Sequence, residues 1–102
     1  MKTGIELIAD ERREQIKKHG RTIEQDVIHN YERQLQVGAA KLLSDRNDTK
    51  PPEGWDVKIW TKMRGKRTFD KLIIAGALIA AEVDRLQAIE QGTPFDEGTK
   101  GK

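Results

Sequence analysis

The sequence predicts an all-α fold with three main helices, at about residues 3–18, from 23 or 31 to 43, and 68–91. Two observations predict it. Apolar residues recur at helical spacing in each of these segments. A threonine that can cap a helix stands at the start of the later two segments, namely Thr22 and Thr68.

The length and composition predict one domain with a small core. The chain has 102 residues, of which 35% are apolar and 35% are charged, and a single core serves chains of up to roughly 250 residues. We expect a single helical domain over residues 1–91 and a flexible tail over residues 92–102. Because the core is small, forming a homo-oligomer would bury further apolar surface.

Charge and apolar content indicate a cytoplasmic protein. The net charge is +2, so no strong overall field identifies a nucleic-acid-binding protein. The chain has no cysteine, which fits a reducing compartment. Its N-terminal residues lack the apolar segment of a signal peptide. The longest apolar run, Leu72 to Ala81, is about half as long as a bilayer span, so we expect no membrane interaction.

The first two helices carry start and stop signals. A narrow apolar stripe runs along the first helix, and Gly20 is suited to end it. Thr22 and Gln25 have the form of a capping box. This box opens either a short turn or the second helix itself, whose clearer part begins near Tyr31.

A long connection over residues 44–67 separates the second helix from the third. Pro51 and Pro52 cannot continue a helix, so the second helix ends before them. The stretch over residues 55–63 could form one or two turns of helix or a short strand. Long connections without regular structure are often functional.

The third helix is the most apolar segment of the chain. Its apolar residues repeat at heptad-like spacing and close around the helix in its central part, which is typical of a helix buried on all sides. Two other modest helices can hardly cover it, so a partner subunit is predicted. Small residues four apart offer a surface for close approach. The predicted oligomer interface comprises Leu72, Gly76, Ile79, Ala80 and Val83.

A basic cluster with interleaved tryptophans precedes the third helix. Basic side chains beside aromatic rings suit nucleotides and bases, and the amino end of a helix favours an anion. An alternative interpretation is a solvated loop whose tryptophans pack in the core. The predicted ligand-binding or anion-binding residues are Trp55, Lys58, Trp60, Lys62, Arg64, Lys66 and Arg67.

Carboxylates at helical spacing allow a second interpretation, a metal-dependent enzyme. Helical nucleotide pyrophosphohydrolases bind Mg²⁺ through carboxylates three residues apart on facing helices, and oxygen ligands suit this hard cation. Here the pattern is incomplete, because Arg85 stands where a second acid would follow Glu82. Mg²⁺ is expected only under this interpretation, and otherwise no cofactor is predicted. The candidate metal ligands are Glu11, Glu14, Glu82 and Asp84.

Four stretches of the sequence resemble a family of small helical proteins encoded by bacteriophages and prophages. They are GIELIADERREQI, HGRTIEQD, PPEGW and DKLIIAGALIAAEVDRLQ, and the resemblance covers about residues 4 to 88. It implies a helical fold and an accessory role, with no established activity. The matching residues are Glu11, Arg12, Gln15, Thr22, Glu24, Asp26, His29, Trp55, Ala75, Gly76, Glu82, Asp84 and Arg85.

This chain departs from the family pattern at Gln25, Val27 and Gln34, where relatives have histidine, a second aspartate and a glutamate. If the relatives bind a metal through those groups, this chain has lost several ligands. The departures therefore weigh against an enzyme.

The sequence thus predicts a phage- or prophage-type accessory protein that acts as a homo-oligomeric binding module. Its expected partner is an anionic ligand such as a nucleotide, a nucleic acid, or a host protein. One alternative is a Mg²⁺-dependent nucleotide hydrolase. The other is a virion-associated or structural protein.

Overall fold

A computed structural model of the protein describes residues 1–20, 22–44 and 50–91, and all regular structure in these ranges is helical. The helices are α1 (Gly4–His19), α2 (Ile23–His29), α3 (Gln34–Leu43), α4 (Val57–Arg64) and α5 (Thr68–Glu90). The all-α prediction is confirmed. The described residues form five helices and not three, because α2 is separate from α3 and the connection contains α4. The predicted flexible tail, residues 92–102, lies outside the described residues.

Helix α1 begins at a capping box that the structure reveals and ends at Gly20, as the sequence predicts. Thr3 Oγ1 accepts a hydrogen bond from the amide of Glu6 at 3.2 Å, and Glu6 Oε1 accepts one from the amide of Thr3 at 2.8 Å. These two bonds satisfy amides that the first turn leaves without a partner. At the other end Gly20 adopts the left-handed conformation, with φ of 64°, which glycine reaches without steric cost.

A short turn separates α2 from α3. Thr22 caps α2 by accepting a bond from the amide of Gln25 at 3.2 Å. Between the helices Arg33 has a left-handed backbone, with φ of 65°, which interrupts a right-handed helix. The side-chain oxygen of Gln34 then accepts a bond from the amide of Glu32 at 2.7 Å. The predicted second helix is therefore two helices that meet at an angle set by this turn.

Helix α4 lies within the connection over residues 44–67. The sequence allowed either a short helix or a short strand there. Asp56 caps it, since Oδ1 accepts a bond from the amide of Ile59 at 3.0 Å. Trp60 and Met63, one turn apart, are buried and face the core. A short helix with two large apolar side chains on one side is therefore held by packing more than by its own length.

The core lies between α3, α4 and α5. Helix α5 packs against each of the other four helices, most extensively against α3. Gly38 of α3 lets the Trp55 ring approach so closely that an added Cβ would lie 2.5 Å from it. The buried apolar cluster comprises Leu35, Ala39, Leu42, Trp60, Met63, Ile74, Ala75, Leu78 and Ala81.

Within the single chain helix α5 is buried on one side only, and its burial on all sides by a partner subunit stays a prediction. The other four helices cover the side that carries Ile74, Leu78 and Ala81, and the opposite side faces outward. The helix begins at Thr68 as predicted, but Arg67 and not Thr68 occupies the N-cap position, without a side-chain cap bond. In the described ranges no helix has the length and apolar character needed to cross a membrane.

Candidate functional site

The tryptophans of the predicted ligand-binding segment pack inward. Trp60 is 1% exposed and belongs to the core. Trp55 is half-buried, and its Nε1 donates to Oδ1 of Asn30 at 2.8 Å. The two rings meet edge to face with centroids 6.0 Å apart. Neither ring is therefore open for stacking a base. This packing is the arrangement described by the alternative interpretation, a loop whose tryptophans pack in the core.

The basic residues of the same segment spread over α4 and the start of α5. Lys58, Lys62 and Lys66 are exposed, and Arg64 is half-buried. Arg67 Nε donates to Oδ2 of Asp70 at 3.0 Å. This bond raises the pKa of Arg67 and lowers the pKa of the Asp70 carboxyl. Part of the predicted positive surface is thus neutralised within the chain, and anion binding there stays a prediction.

A groove of about 580 Å³ lies between α1, α4 and α5. Its α1 wall is mainly acidic and its α4 wall is basic, while apolar side chains form its floor. Such a volume suits a small molecule or part of a helix. The groove is lined by Leu7, Asp10, Glu11, Glu14, Lys18, Ile59, Lys62, Met63, Lys66, Asp70, Ile73 and Ile74.

The structure does not join the four predicted metal ligands into one site. Glu11 accepts a bond from Gln15 at 3.4 Å, and Glu14 pairs with Lys18 at 3.5 Å. Glu82 and Asp84 pair with two different arginines. Across residues 1–20, 22–44 and 50–91 no group of three or more acidic or histidine side chains is placed to hold a metal ion. A Mg²⁺ site at these four acids stays a prediction.

A buried polar cluster joins α1, α2 and α5. Asp26 is fully buried, at 0% exposure, and its Oδ2 lies 3.8 Å from Nη2 of Arg12. The same Nη2 lies 3.8 Å from Oδ2 of Asp84. Asn30 Nδ2 donates to Oδ1 of Asp26 at 2.9 Å, and Asn30 Oδ1 accepts the bond from Trp55. One chain of polar contacts therefore runs from α5 through α1 to α2 and on to the residues before α4.

Glu82 and Arg85 form a second buried pair on α5. Nε and Nη2 of Arg85 donate to the two carboxylate oxygens of Glu82, each at 2.8 Å. This hydrogen bonding raises the pKa of Arg85; burial acts against the rise, and the charges of Glu82 and Asp26 add to it. Removing charges from water is costly unless each finds a partner. Both residues of the pair lie on α5, and the charge of Asp26 connects them to α2.

The polar cluster opens to solvent through a small recess of about 200 Å³. Asp26, His29, Asn30, Trp55 and Asp56 are among the residues that line this recess. It is large enough for a few water molecules.

The helical periodicity of the sequence indicates this buried polar cluster. Arg12 and Gln15 continue the helical spacing of Ile8 on α1, and Glu82 and Arg85 continue that of Leu78 on α5. Polar residues that replace apolar ones on a core-facing side are expected to be buried and paired. Several residues that carry the resemblance lie in this cluster or in the neighbouring pair on α5, namely Arg12, Asp26, Trp55, Glu82, Asp84 and Arg85.

The outer side of α5 carries an apolar strip, which we call the α5 seam. It comprises Phe69, Leu72, Ile79, Val83 and Leu86; Gly76 completes the alternating three-and-four spacing in the sequence but is covered by Ile8 of α1. The five larger side chains are each between 49% and 55% exposed. Three of the five predicted interface residues are therefore outward-facing apolar side chains.

The other two predicted interface residues have contacts within the chain. Gly76 lies against Ile8 of α1, whose Cδ1 would be 2.6 Å from an added Cβ. Ala80 is half-buried. The close approach that small residues allow is thus used, in part, by α1 of the same chain.

The chain matches no protein-family model, no curated protein and no solved structure.

Proposed function

We propose that this protein is a self-associating interaction module whose contact surface is the α5 seam, acting as a phage- or prophage-type accessory protein in the cytoplasm. The observation that carries the proposal is the exposure of five large apolar side chains at heptad spacing on one helix. The accessory role is proposed from the resemblance of the sequence alone.

Exposed apolar residues are common singly but uncommon as a continuous strip. The seam extends from Phe69 to Leu86, about five turns or roughly 25 Å of helix. Monomeric proteins rarely leave larger continuous apolar patches than a few hundred Å² in water, and such patches mark interaction sites. Burial of the strip against a partner is favourable because it removes apolar surface from water.

The charged residues of α5 lie off the seam. Asp70 pairs with Arg67, and Glu82 pairs with Arg85 on the buried side. Asp84 faces Arg12 of α1. The seam is therefore free of charge between Phe69 and Leu86, as a helix–helix interface requires.

The proposal is tested by placing a charge on the seam. Ile79→Asp is expected to convert the oligomer to a monomer that keeps its helical circular dichroism, because Ile79 is half-exposed in the single chain. The mass in solution is measured by size-exclusion chromatography with light scattering.

Ile28→Asp is the matched control, since Ile28 is also an isoleucine and is 46% exposed, on α2. It is expected to leave the oligomer intact. A wild-type protein that is monomeric at all concentrations tested would contradict the proposal.

A further inference from the structure

We propose that two copies of this chain pair through the α5 seam in antiparallel orientation, with Leu72 of one copy packed against Val83 of the other. This inference rests on the proposed self-association and adds the partner, the orientation and the register. The exposed side chains, their spacing and the charges at the two ends of the seam carry it.

The spacing fixes the layers of a paired helix. Alternating steps of three and four residues give the a and d positions of a heptad, with Phe69, Gly76 and Val83 at a, and Leu72, Ile79 and Leu86 at d. The neighbouring e and g positions carry no exposed charge, because Glu82 is buried with Arg85. Charges at the flanks therefore do not impose an orientation, and the layers and ends decide it.

The layers favour the antiparallel orientation. In a parallel pair Phe69 meets Phe69 of the second copy and Val83 meets Val83, so the largest and the smallest of the exposed side chains each face their own kind. In an antiparallel pair each a residue meets a d residue, so Phe69 lies opposite Leu86, and Ile79 lies opposite Gly76 and the Ile8 side chain that covers it. Each larger side chain then faces a smaller one at the two ends of the seam, which fills the interface more evenly.

The ends of the seam favour the same orientation. Glu90 occupies the next a position after Leu86. A parallel pair would bring two Glu90 carboxylates together, and like charges repel. An antiparallel pair places Glu90 beside the residues that precede α5 in the second copy, which include Lys66 and Arg67.

The area fits a dimer of modest affinity. Pairing five half-exposed side chains from each copy buries roughly 1,000 Å² in total, near the lower limit of specific interfaces. A two-fold axis on the outer side of α5, at the level between Gly76 and Ile79, makes the interface the same for both copies and closes it at two. No further copy is needed to cover the seam.

Cysteine cross-linking distinguishes the orientations, and the natural chain has no cysteine to interfere. Leu72→Cys and Val83→Cys are made separately, and folding is checked by circular dichroism. Under mild oxidation neither variant alone is expected to form a covalent dimer. An equimolar mixture of the two is expected to form one after subunit exchange, because only the mixture places two thiols within the roughly 7 Å that a disulfide spans.

Each other outcome has a defined meaning. Covalent dimers of Leu72→Cys alone would show a parallel pair, which overturns the orientation and leaves self-association standing. A dimer by light scattering without cross-links in the mixture, or in a second mixture of Phe69→Cys with Leu86→Cys, overturns the register. A monomeric wild-type chain overturns the proposed function itself.

Discussion

Asp26 is the residue on which the contacts between three helices depend. It is fully buried, accepts a hydrogen bond from Asn30 and lies beside Arg12, which also faces Asp84. Its carboxylate is thus withdrawn from bulk water. Arg12 and Asn30 offset the cost of that burial.

We expect Asp26→Asn to lower the free energy of unfolding by about 3 kcal/mol, because it leaves the buried Arg12 guanidinium with one partner fewer. Asp84→Asn is the control, since the Asp84 side chain is 39% exposed and water can replace it. Its expected cost is below about 1 kcal/mol. Urea unfolding followed by circular dichroism measures both, and equal effects would contradict the role assigned to Asp26.

Asp70 makes the stability of the folded protein depend on pH in the acidic range. Its hydrogen bond from Arg67 lowers the carboxyl pKa below the ordinary value of 3.8. The stabilisation is therefore fully present above pH 3.8 and is lost as the pH falls through the lowered pKa. We expect Asp70→Asn to melt below wild type at pH 7 and level with it at about pH 2.

Thermal melts at a series of pH values test this, and added salt serves as the control. Because both side chains of the pair are exposed, about 1 M salt is expected to reduce the difference at pH 7. A difference that persists unchanged at low pH would show that Asp70 acts by some route other than its charge.

At the scale of single elements, the contact between α3 and the segment before α4 is the tightest that the structure describes at a glycine. A Cβ on Gly38 would lie 2.5 Å from one ring carbon of Trp55 and 2.8 Å from another. The ring cannot easily move, because its Nε1 is hydrogen-bonded to Asn30. Glycine is therefore required at this point of a helix for space rather than for its backbone freedom.

Gly38→Ala is expected to lower the free energy of unfolding by about 1–3 kcal/mol through overpacking, even though alanine favours helix by about 1 kcal/mol. Gly4→Ala is the control, because nothing lies within 4 Å of an added Cβ there. It is expected to be neutral or slightly stabilising. Chemical denaturation measures both, and a stabilised Gly38→Ala protein would contradict the close contact.

Elements with strong local signals could be predicted from the sequence. The bounds of α1 and α5 were predicted to within one residue, because an apolar stripe and Gly20 mark α1 and an unbroken apolar run marks α5. The break between α2 and α3 could not be predicted. It depends on the left-handed backbone of Arg33, a conformation that arginine does not favour on its own.

The candidate site also contains residues that could be predicted from the sequence and residues that could not. The seam residues Leu72, Ile79 and Val83 follow from spacing, which the sequence displays. The polar cluster depends on which helices meet, since Arg12 and Asp26 lie on different helices and their contact is tertiary. The inward packing of Trp60 likewise depends on how α4 lies against the core.

For the whole molecule, self-association and folding stability are linked. A partner that binds only the folded chain stabilises it by mass action, so the melting temperature rises with protein concentration. We expect the melting temperature of wild type to rise by roughly 3–5 °C per tenfold increase in concentration.

Differential scanning calorimetry over two decades of concentration measures the effect. Ile79→Asp is expected to melt at one temperature throughout this range, and Ile28→Asp to behave as wild type does. A wild-type melting temperature that is independent of concentration would mean that folding and association are not coupled through α5.

Helix α5 presents its fold-determining residues and its outward residues on opposite sides. The inner side faces the other helices and carries Ile74, Leu78, Glu82 and Arg85. The seam side chains are half-exposed and contribute less to packing within the chain. Natural variation can therefore alter the seam without disturbing the arrangement of the domain. Substitutions on the outer side are therefore expected to change which surfaces pair, while substitutions on the inner side are expected to lower the stability of the fold.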